Sequence, residues 1–309
     1  MEIANAGNGR LAAKNRQISA DGVRVWQATE ADFSQILQLL KITSLHYKHV
    51  DWFDACDWLG SPGFVVSCDE DGAKGCLAIT AEPKPAAWVR LAAVERRGMG
   101  YTRSFLQLAA MFDPVCDYLH KNGVSVVGWM APTVWPDGWP EKLGFTEYER
   151  VITYQKPTFN IPNLRAVPNL MIRPAVLDDM PHLAKIEARA FAPIWRHSAK
   201  GLGVAMSQAF SFDVALLDGK LVGFQHSATN RGSAVHLARI TVDPMVQNRG
   251  IGGQLLAHAI RGYQRRGAIH MTLNTESANV GAQRLYARFG YVANRRRFSL
   301  YTMELSTTQ

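Results

Sequence analysis

The chain is 309 residues long, 47% hydrophobic and 19% charged, which suits two ordinary globular domains and excludes a disordered or fibrous chain. It carries no run of about 18 apolar residues, so neither a membrane-spanning helix nor a membrane partner is expected. The net charge of +8 is uneven: residues 1–157 hold 16 Lys/Arg against 18 Asp/Glu and residues 158–309 hold 18 against 8, so the second half suits a polyanionic ligand.

Met1 to Ala20 is polar, with scattered basic residues and no apolar stretch of a secretory signal. Residues 1–21 read as a flexible leader, and the chain as cytoplasmic. Val23 to Ala28 alternates like a strand, and Asp32 to Ile42 has helical spacing through Phe33, Ile36, Leu37 and Leu40. Asp51 to Leu59 is expected as a second helix. Gly63 to Cys68 and Lys74 to Thr80 read as strands joined by the turn Asp69-Glu70-Asp71-Gly72, and Ala87 to Val94 as a third. Glu95-Arg96-Arg97-Gly98-Met99-Gly100 then opens a long helix ending near Asn122-Gly123. Val124 to Met130 is a strand, and Lys142-Leu143-Gly144-Phe145 precedes the strand Glu147 to Gln155.

The same order returns after residue 170. Met171 to Pro174 enters a strand, Asp178 to Phe191 is a helix, and Phe212 to Leu217 with Lys220 to Ser227 forms a hairpin around Asp218-Gly219. The strand Val235 to Val242 and the helical run Gln254 to Arg266 follow. Ala268 to Asn274 is a strand, Asn279 to Phe289 the last helix and Phe298 to Leu305 the closing strand. The chain is therefore read as two copies of one mixed α/β (α+β) domain, each a mostly antiparallel central sheet flanked by helices. The expected boundaries are 22–157 and 170–306. The Pro/Asn-rich stretch 158–169 is the linker.

The chemistry concentrates at Val242-Asp243-Pro244-Met245-Val246-Gln247-Asn248-Arg249-Gly250-Ile251-Gly252-Gly253. A strand ends here, a tight glycine loop follows and a helix starts. The first N–H groups of a helix lack internal partners and carry partial positive charge, so they bind anions. Glycine at 250 and 252 lets phosphate oxygens approach the backbone, and Arg249 adds a cation. No Lys-Ser/Thr follows, which excludes a P-loop, and the spacing does not fit a dinucleotide fingerprint. Gln247-x-Arg249-Gly250-x-Gly252 after Val242-Asp243-Pro244 resembles the pyrophosphate loop of the GCN5-related N-acetyltransferases (GNAT). The family's second signature is an Asn, then Ala, Leu-Tyr, three residues and Gly-aromatic. Asn279, Ala282, Leu285-Tyr286 and Gly290-Tyr291 match it throughout.

The resemblance implies acetyl-coenzyme A as cosubstrate, no metal, and transfer of acetyl to a primary amine, a small molecule or a peptide N-terminus, by direct attack. It implies that Gln247, Asn248, Arg249, Gly250, Ile251, Gly252 and Gly253 hold the pyrophosphate. Ile240, Thr241 and Val242 would bond the pantetheine as an added strand would. Asn279 would cap its helix and touch the cofactor. Tyr286 would also contact it and serve as general acid, because a thiol pKa of about 8.5 lies near a phenol's ~10.

The second half resembles the ribosomal-protein N-acetyltransferases most, through Ile186-Glu187 and Ala190-Phe191 before Trp195 as well. That group has a Glu five residues before its Asn, where this chain has Asn274. The general base is therefore open among Glu187, Asp243, Glu276, His226, His236 and a water relay.

The first half looks like a degenerate copy. Arg97-Gly98-Met99-Gly100 aligns on Arg249 to Gly252, but the connection is shorter and lacks Asp-Pro. Pro140 stands at the place of Tyr286 and Thr133 at that of Asn279, and proline has no proton to give. The plan is similar to that of mycothiol synthase, with the C-terminal half catalytic. Trp195, Arg196, His197 and Arg231 are candidates for an acceptor carrying a carboxylate. A different acyl donor or acceptor, or a non-catalytic acyl-coenzyme A-binding module, are the competing readings. Arg295-Arg296-Arg297 alone does not make nucleic acid the expected partner. Cys56, Cys68, Cys76 and Cys116 lack metal-site spacing and are expected as free thiols. The oligomeric state is left open.

Overall fold

The computed structural model describes residues 17–18, 23–50, 52–69, 72–96, 100–130, 135–229 and 233–305. Its first half runs β1 (Gln17–Ile18), β2 (Arg24–Gln27), α1 (Phe33–Ile42), β3 (Leu45–Lys48), β4 (Phe64–Asp69), β5 (Gly72–Thr80), β6 (Ala86–Val94), α2 (Gly100–Lys121), β7 (Val126–Trp129), α3 (Trp139–Lys142) and β8 (Thr146–Lys156). The second half runs β9 (Leu170–Pro174), α4 (Met180–Ala190), α5 (Ala199–Gln208), β10 (Ser211–Leu217), β11 (Lys220–Thr229), β12 (Ala234–Val242), α6 (Ile251–Arg265), β13 (His270–Glu276), α7 (Val280–Arg288) and β14 (Val292–Glu304).

Among the described residues the strands form one sheet in the order β1-β2-β4-β5-β6-β7-β14-β8-β13-β12-β11-β10-β9, with β3 added on β6. Only β6–β7 and β12–β13 are parallel. The fold is thus a mixed α/β one, mostly antiparallel, with helices against the sheet.

The middle of that order carries an exchange. β14, the closing strand of the second half, lies between β7 and β8 of the first. In turn β8, the closing strand of the first half, pairs with β13 of the second, from Met271↔Lys156 to Glu276↔Val151. Each half's last strand completes the other's sheet, so the sheet crosses the boundary without an edge.

Helix α6 shows why these elements form. Ile251, Leu255, Leu256, Ala259, Ile260 and Tyr263 recur at helical spacing and are all buried. They pack on β10, β11 and β12 in two contiguous cores. Burying such side chains supplies roughly 1.5–3 kcal/mol each.

Three local expectations change. Within the leader expected over 1–21, Gln17–Ile18 pair with β2 as a strand, and the rest of it lies outside the described residues. The helix expected over 51–59 is a single 3-10 turn, Ala55–Trp58. The Asp57 carboxylate accepts from Asp54 N–H at 2.7 Å and closes a tight local turn instead. Helix α5 was not legible, because Gly201 and Gly203 lower its helix propensity. It forms because Leu202 and Ala205 are buried and the Ser198 hydroxyl caps it, accepting from Gly201 N–H at 2.9 Å. Cys68, Cys76 and Cys116 are free thiols. Cys76 and Cys116 are pushed up to about 12 by burial, so neither is reactive. Among the described residues no helix is long and apolar enough to cross a membrane.

Candidate active site

β12 and β13 run parallel and pair only from Ala234↔His270 to Leu237↔Leu273. At that point β12 has a bulge. His226 faces Arg239 and Ser227 faces Leu237, which leaves Ala238 as the extra residue. A bulge bends its strand and adds twist, and here the two strands part. Beyond it, Arg239 to Val242 stay paired with β11 on one edge. Their other edge carries no strand among the described residues.

A cleft of about 2110 Å³ opens in this fork. Ile240, Thr241 and Val242 line one arm, and Asn274, Thr275 and Glu276 the other. The cleft ends at the start of α6. The Asp243 carboxylate accepts from Met245 N–H at 3.1 Å and pairs with Arg189, which fixes the loop's first turn. Gln247 donates from Nε2 to Val242 O at 3.0 Å. Asn248 and Gly250 then take positive φ, 62° and 88°, which turn the chain into the helix. The helix's own bonding begins with Gln254 N–H to Gly250 O at 3.1 Å. The N–H groups of Ile251, Gly252 and Gly253 precede that ladder. Gly252 lines the cleft, and a Cβ there would meet Val242 and Leu285 side-chain carbons at ordinary distances, 3.7 and 3.6 Å.

Gln247, Asn248, Gly250, Ile251, Gly252, Gly253, Asn279 and Tyr286 all border this same cleft. Arg249 does not; it is exposed on the outside of the loop. Asn279 caps α7, accepting from Ala282 N–H at 3.1 Å. Tyr286 is 5% exposed. Burial, and then the Glu276 carboxylate, raise its phenol well above the ordinary value. It therefore stays protonated throughout the working pH range. Among the described residues no hydrogen bond ties up its hydroxyl.

The strand arm is anchored from below. Glu187 of α4 is fully buried and receives the Thr241 hydroxyl at 2.8 Å and the His197 backbone N–H at 3.2 Å. Arg239 approaches its carboxylate at 3.3 Å and donates to Trp195 O. Burial pushes the Glu187 pKa up, but Arg239 and His197 outweigh it and hold the carboxyl below its usual range. His197 is held below its usual pKa by burial and Arg239, so the ring is neutral near pH 7.

The base candidates separate by position. Glu187 and Asp243 are committed to Arg239 and Arg189. His226 is fully buried, its ring nitrogens have no partner among the described residues, and it does not border the cleft. His236 borders the cleft from the paired part of β12, bonded to Thr272 at 2.8 Å and pushed down to about 4 by burial. Glu276 lies on the open arm, on the same strand face as Asn274.

Trp195, Arg196 and His197 border the cleft, whereas Arg231, Thr133 and Arg97 to Met99 lie outside the described residues. The first half supplies a wall whose residues sequence reasoning did not name: His49, Trp52, Glu82, Trp88 and Arg90 border the same cleft. Two bonds hold it there, Trp88 Nε1–H to Ile194 O at 3.0 Å and Gln208 Nε2–H to Trp52 O at 2.9 Å. Seven of the eight tryptophans belong to the first half, and that bias was the available signal. No cluster of three or more His, Cys, Asp or Glu fit to hold a metal occurs among the described residues.

The acetyltransferase (GNAT) family model matches residues 180–291, the span from α4 to the end of α7. Among curated proteins, the chain is 29% identical over 184 residues to a mycothiol acetyltransferase of Brachybacterium faecium, covering 52% of this chain. It spans about half of that relative's length, 54%. It is 30% identical over 113 residues to the ribosomal protein bS18-alanine N-acetyltransferase of Escherichia coli, covering 37% of this chain and 74% of the relative. Among solved structures, a tandem GNAT protein from the clavulanic acid biosynthesis pathway superposes with a TM-score of 0.58 at 12% identity, covering 93% of this chain and all of that one, 100%. With a relative matched over most of its own length and the whole chain laid out as in a tandem member, the chain belongs to the GNAT family of acetyltransferases.

Proposed function

We propose that the chain is an acetyl-coenzyme A-dependent N-acetyltransferase whose single catalytic centre is the fork of its second half, residues 170–306. The observation that carries this reading is the free edge of β12 past Ala238, leading straight to the unpaired N–H groups of Ile251, Gly252 and Gly253. A pantetheine arm has amides that suit such an edge, and a pyrophosphate has oxygens that suit such a helix start. Gly252 lines the cleft beside that helix start. The bound substrate supplies an activated acetyl group.

Each residue then has a stated task. Ile240, Thr241 and Val242 orient the donor along the strand, and Glu187 with Arg239 keeps that strand rigid. Gln247 to Gly253 hold the pyrophosphate, with Arg249 contributing long-range charge from outside the cleft. Glu276 accepts the proton that the attacking amine sheds, taking the part that the family's carboxylate has one strand repeat earlier. Tyr286 donates its phenolic proton to the departing sulfur, and solvent resets both groups. Asn279 fixes the start of α7 and so the height of Tyr286. The first half, residues 22–157, walls the acceptor side. The acceptor is a primary amine on a small molecule or a peptide end.

The test is thiol release from acetyl-coenzyme A with a panel of amines, comparing wild type with Tyr286→Phe. A fall in kcat on the order of 10²-fold with unchanged acetyl-coenzyme A affinity is expected of a lost general acid. Equal rates for the two proteins would remove Tyr286 from the chemistry. Binding without turnover for any amine would favour a sensing module.

A further inference from the structure

The first half has the same fork as the second, and the chain itself lies in it. β6 and β7 pair in parallel only from Ala86↔Val126 to Trp88↔Gly128. Immediately beyond, β6 has a bulge. Ala78 faces Leu91 and Ile79 faces Val89, leaving Arg90 as the extra residue. Up to this point the geometry repeats that of β12 and β13. In the second half the edge past the bulge pairs with no strand among the described residues. In the first half it is covered by β3, which pairs antiparallel from Leu45↔Val94 to Lys48↔Leu91. The His49 N–H extends the ladder to Arg90 O at 2.8 Å.

β3 is built into place. Thr43 donates its hydroxyl to Val94 O at 2.5 Å, at the far end of the same edge. Leu45 and Tyr47 point inward and are 2% and 8% exposed. Tyr47 lies edge-on to Trp129 of β7 at 6.2 Å, and Trp129 to Trp135 at 5.5 Å. Aromatic packing thus joins β3 to the other arm of the fork, with Tyr47 and Trp135 lining the shared cleft. At the anion end the connection from β6 to α2 covers only residues 95–99, against 243–250 in the second half. Its first residue, Glu95, is held in an ion pair with Lys74 at 2.8 Å.

The geometry points to β3 as a resident occupant of the first half's coenzyme fork, so that the chain binds one acyl-coenzyme A, in the second half only. The inference rests on the cofactor reading of the β12–β13 fork. It also gives the first half a task. The segment leaving β3 brings His49 and Trp52 to the shared cleft beside Trp88 and Glu82, so the strand that closes one site builds the acceptor wall of the other.

The experiment combines calorimetric titration of acetyl-coenzyme A with backbone hydrogen exchange on the full chain. Wild type is expected to bind one equivalent. Gly252→Asp should weaken that site by 100-fold or more, and Arg96→Glu, at the first half's loop, should leave it unchanged. The His49 amide should exchange slowly in the free protein and keep its rate when acetyl-coenzyme A is added, while amides of residues 239–242 slow down. A second equivalent in wild type that survives Gly252→Asp, or faster exchange at His49 on adding acetyl-coenzyme A, would overturn the inference and leave the second-half centre standing. Rapid exchange at His49 in the free protein would overturn it by itself. Slow exchange at His49 with no heat of binding in any protein would support the resident strand and sink the proposed function instead.

Discussion

Arg90 and Ala238 occupy equivalent places in the two halves: each is the extra residue of a bulge that begins where a parallel strand pair ends. Their side chains explain much of the divergence. Ala238 leaves the fork open. Arg90 is 7% exposed, donates from Nε to Thr80 Oγ1 at 3.1 Å and lies 5.7 Å over the Trp58 ring. A bulge re-aims the residue it carries. One half leaves an open cleft beside it, and the other packs a wall with it.

The helix start and the arginine of the loop should be separable. Gly252 borders the cleft, and a Cβ there makes only ordinary contacts. Gly252→Asp therefore meets no steric clash at Cβ and adds a negative charge at the helix start proposed to hold the pyrophosphate. Acetyl-coenzyme A affinity should fall by 100-fold or more. Arg249→Ala removes an exposed charge outside the cleft, and screening limits such a term to a few-fold at physiological salt. Titration calorimetry on both variants is the check. A larger loss for Arg249→Ala would move the anion site outward.

The anchor below the strand arm gives a stability prediction. Glu187 is the sole carboxylate that Arg239 reaches within 4 Å among the described residues, and it is 0% exposed. Removing one member of such a pair leaves a buried charge without its counterion, which costs about 3–5 kcal/mol. Glu187→Ala should lower the unfolding free energy by that amount in urea titration. Thr241→Val, which removes one hydrogen bond, should cost only about 1 kcal/mol. Equal losses would mean that the carboxylate contributes through its hydroxyl contact alone.

The halves differ in how much of them could be read beforehand. The turn at Asn248 and Gly250 and the cap at Asn279 were legible because a positive-φ turn favours glycine and a cap needs a side-chain oxygen at a set place. The repeat was legible too. Gly144 and Gly290 both turn with positive φ, and Phe145 and Tyr291 send the same N–H back to residues 140 and 286. β3 was hidden because four residues, Leu45 to Lys48, make too short a pattern and follow a helix directly. The strand exchange was hidden for another reason. β8 and β14 have the same alternation whichever neighbour they join, and partner choice is a long-range property. Glu276 escaped notice as the favoured base because only the fork distinguishes it from the other carboxylates.

Acid should weaken the fold through its buried histidines. His226 is 0% exposed, its two ring nitrogens lack partners among the described residues, and burial holds its pKa well below 6.5. His49 is pushed down to about 3 and His236 to about 4 by the same cause. A base whose folded pKa is depressed is protonated first in the unfolded chain. Its contribution is intact above the unfolded value near 6.5 and is lost as pH falls below it. For His226 the loss between pH 7.5 and 5.0 is at most about 2 kcal/mol, the limit for a ring that stays neutral in the folded chain. Its ring packs at 5.1 Å from Phe212, an apolar contact that phenylalanine can also make. His226→Phe should gain stability relative to wild type as pH falls from 7.5 to 5.0, by up to about 2 kcal/mol. A constant gap across that range would mean that His226 titrates normally.

The exchanged strands predict what happens when the chain is cut. The repeat suggests that residues 158–309, which contain the fork, the loop and Tyr286, could stand alone. The sheet argues otherwise. Without residues 1–157, β13 loses β8 along Met271 to Glu276, the arm of the fork that carries Glu276. β14 loses β7 and β8 together. Two strands then become bare edges, and Tyr154, which packs at 6.3 Å from Tyr286, is gone. The fragment is expected to aggregate or to bind acetyl-coenzyme A at least 10-fold more weakly than the full chain. Supplying residues 1–157 as a separate polypeptide during refolding should restore binding, because each piece holds the other's last strand. A soluble fragment with full affinity would show that β14 can fold back onto β13 and that the exchange is one of two arrangements open to this sequence.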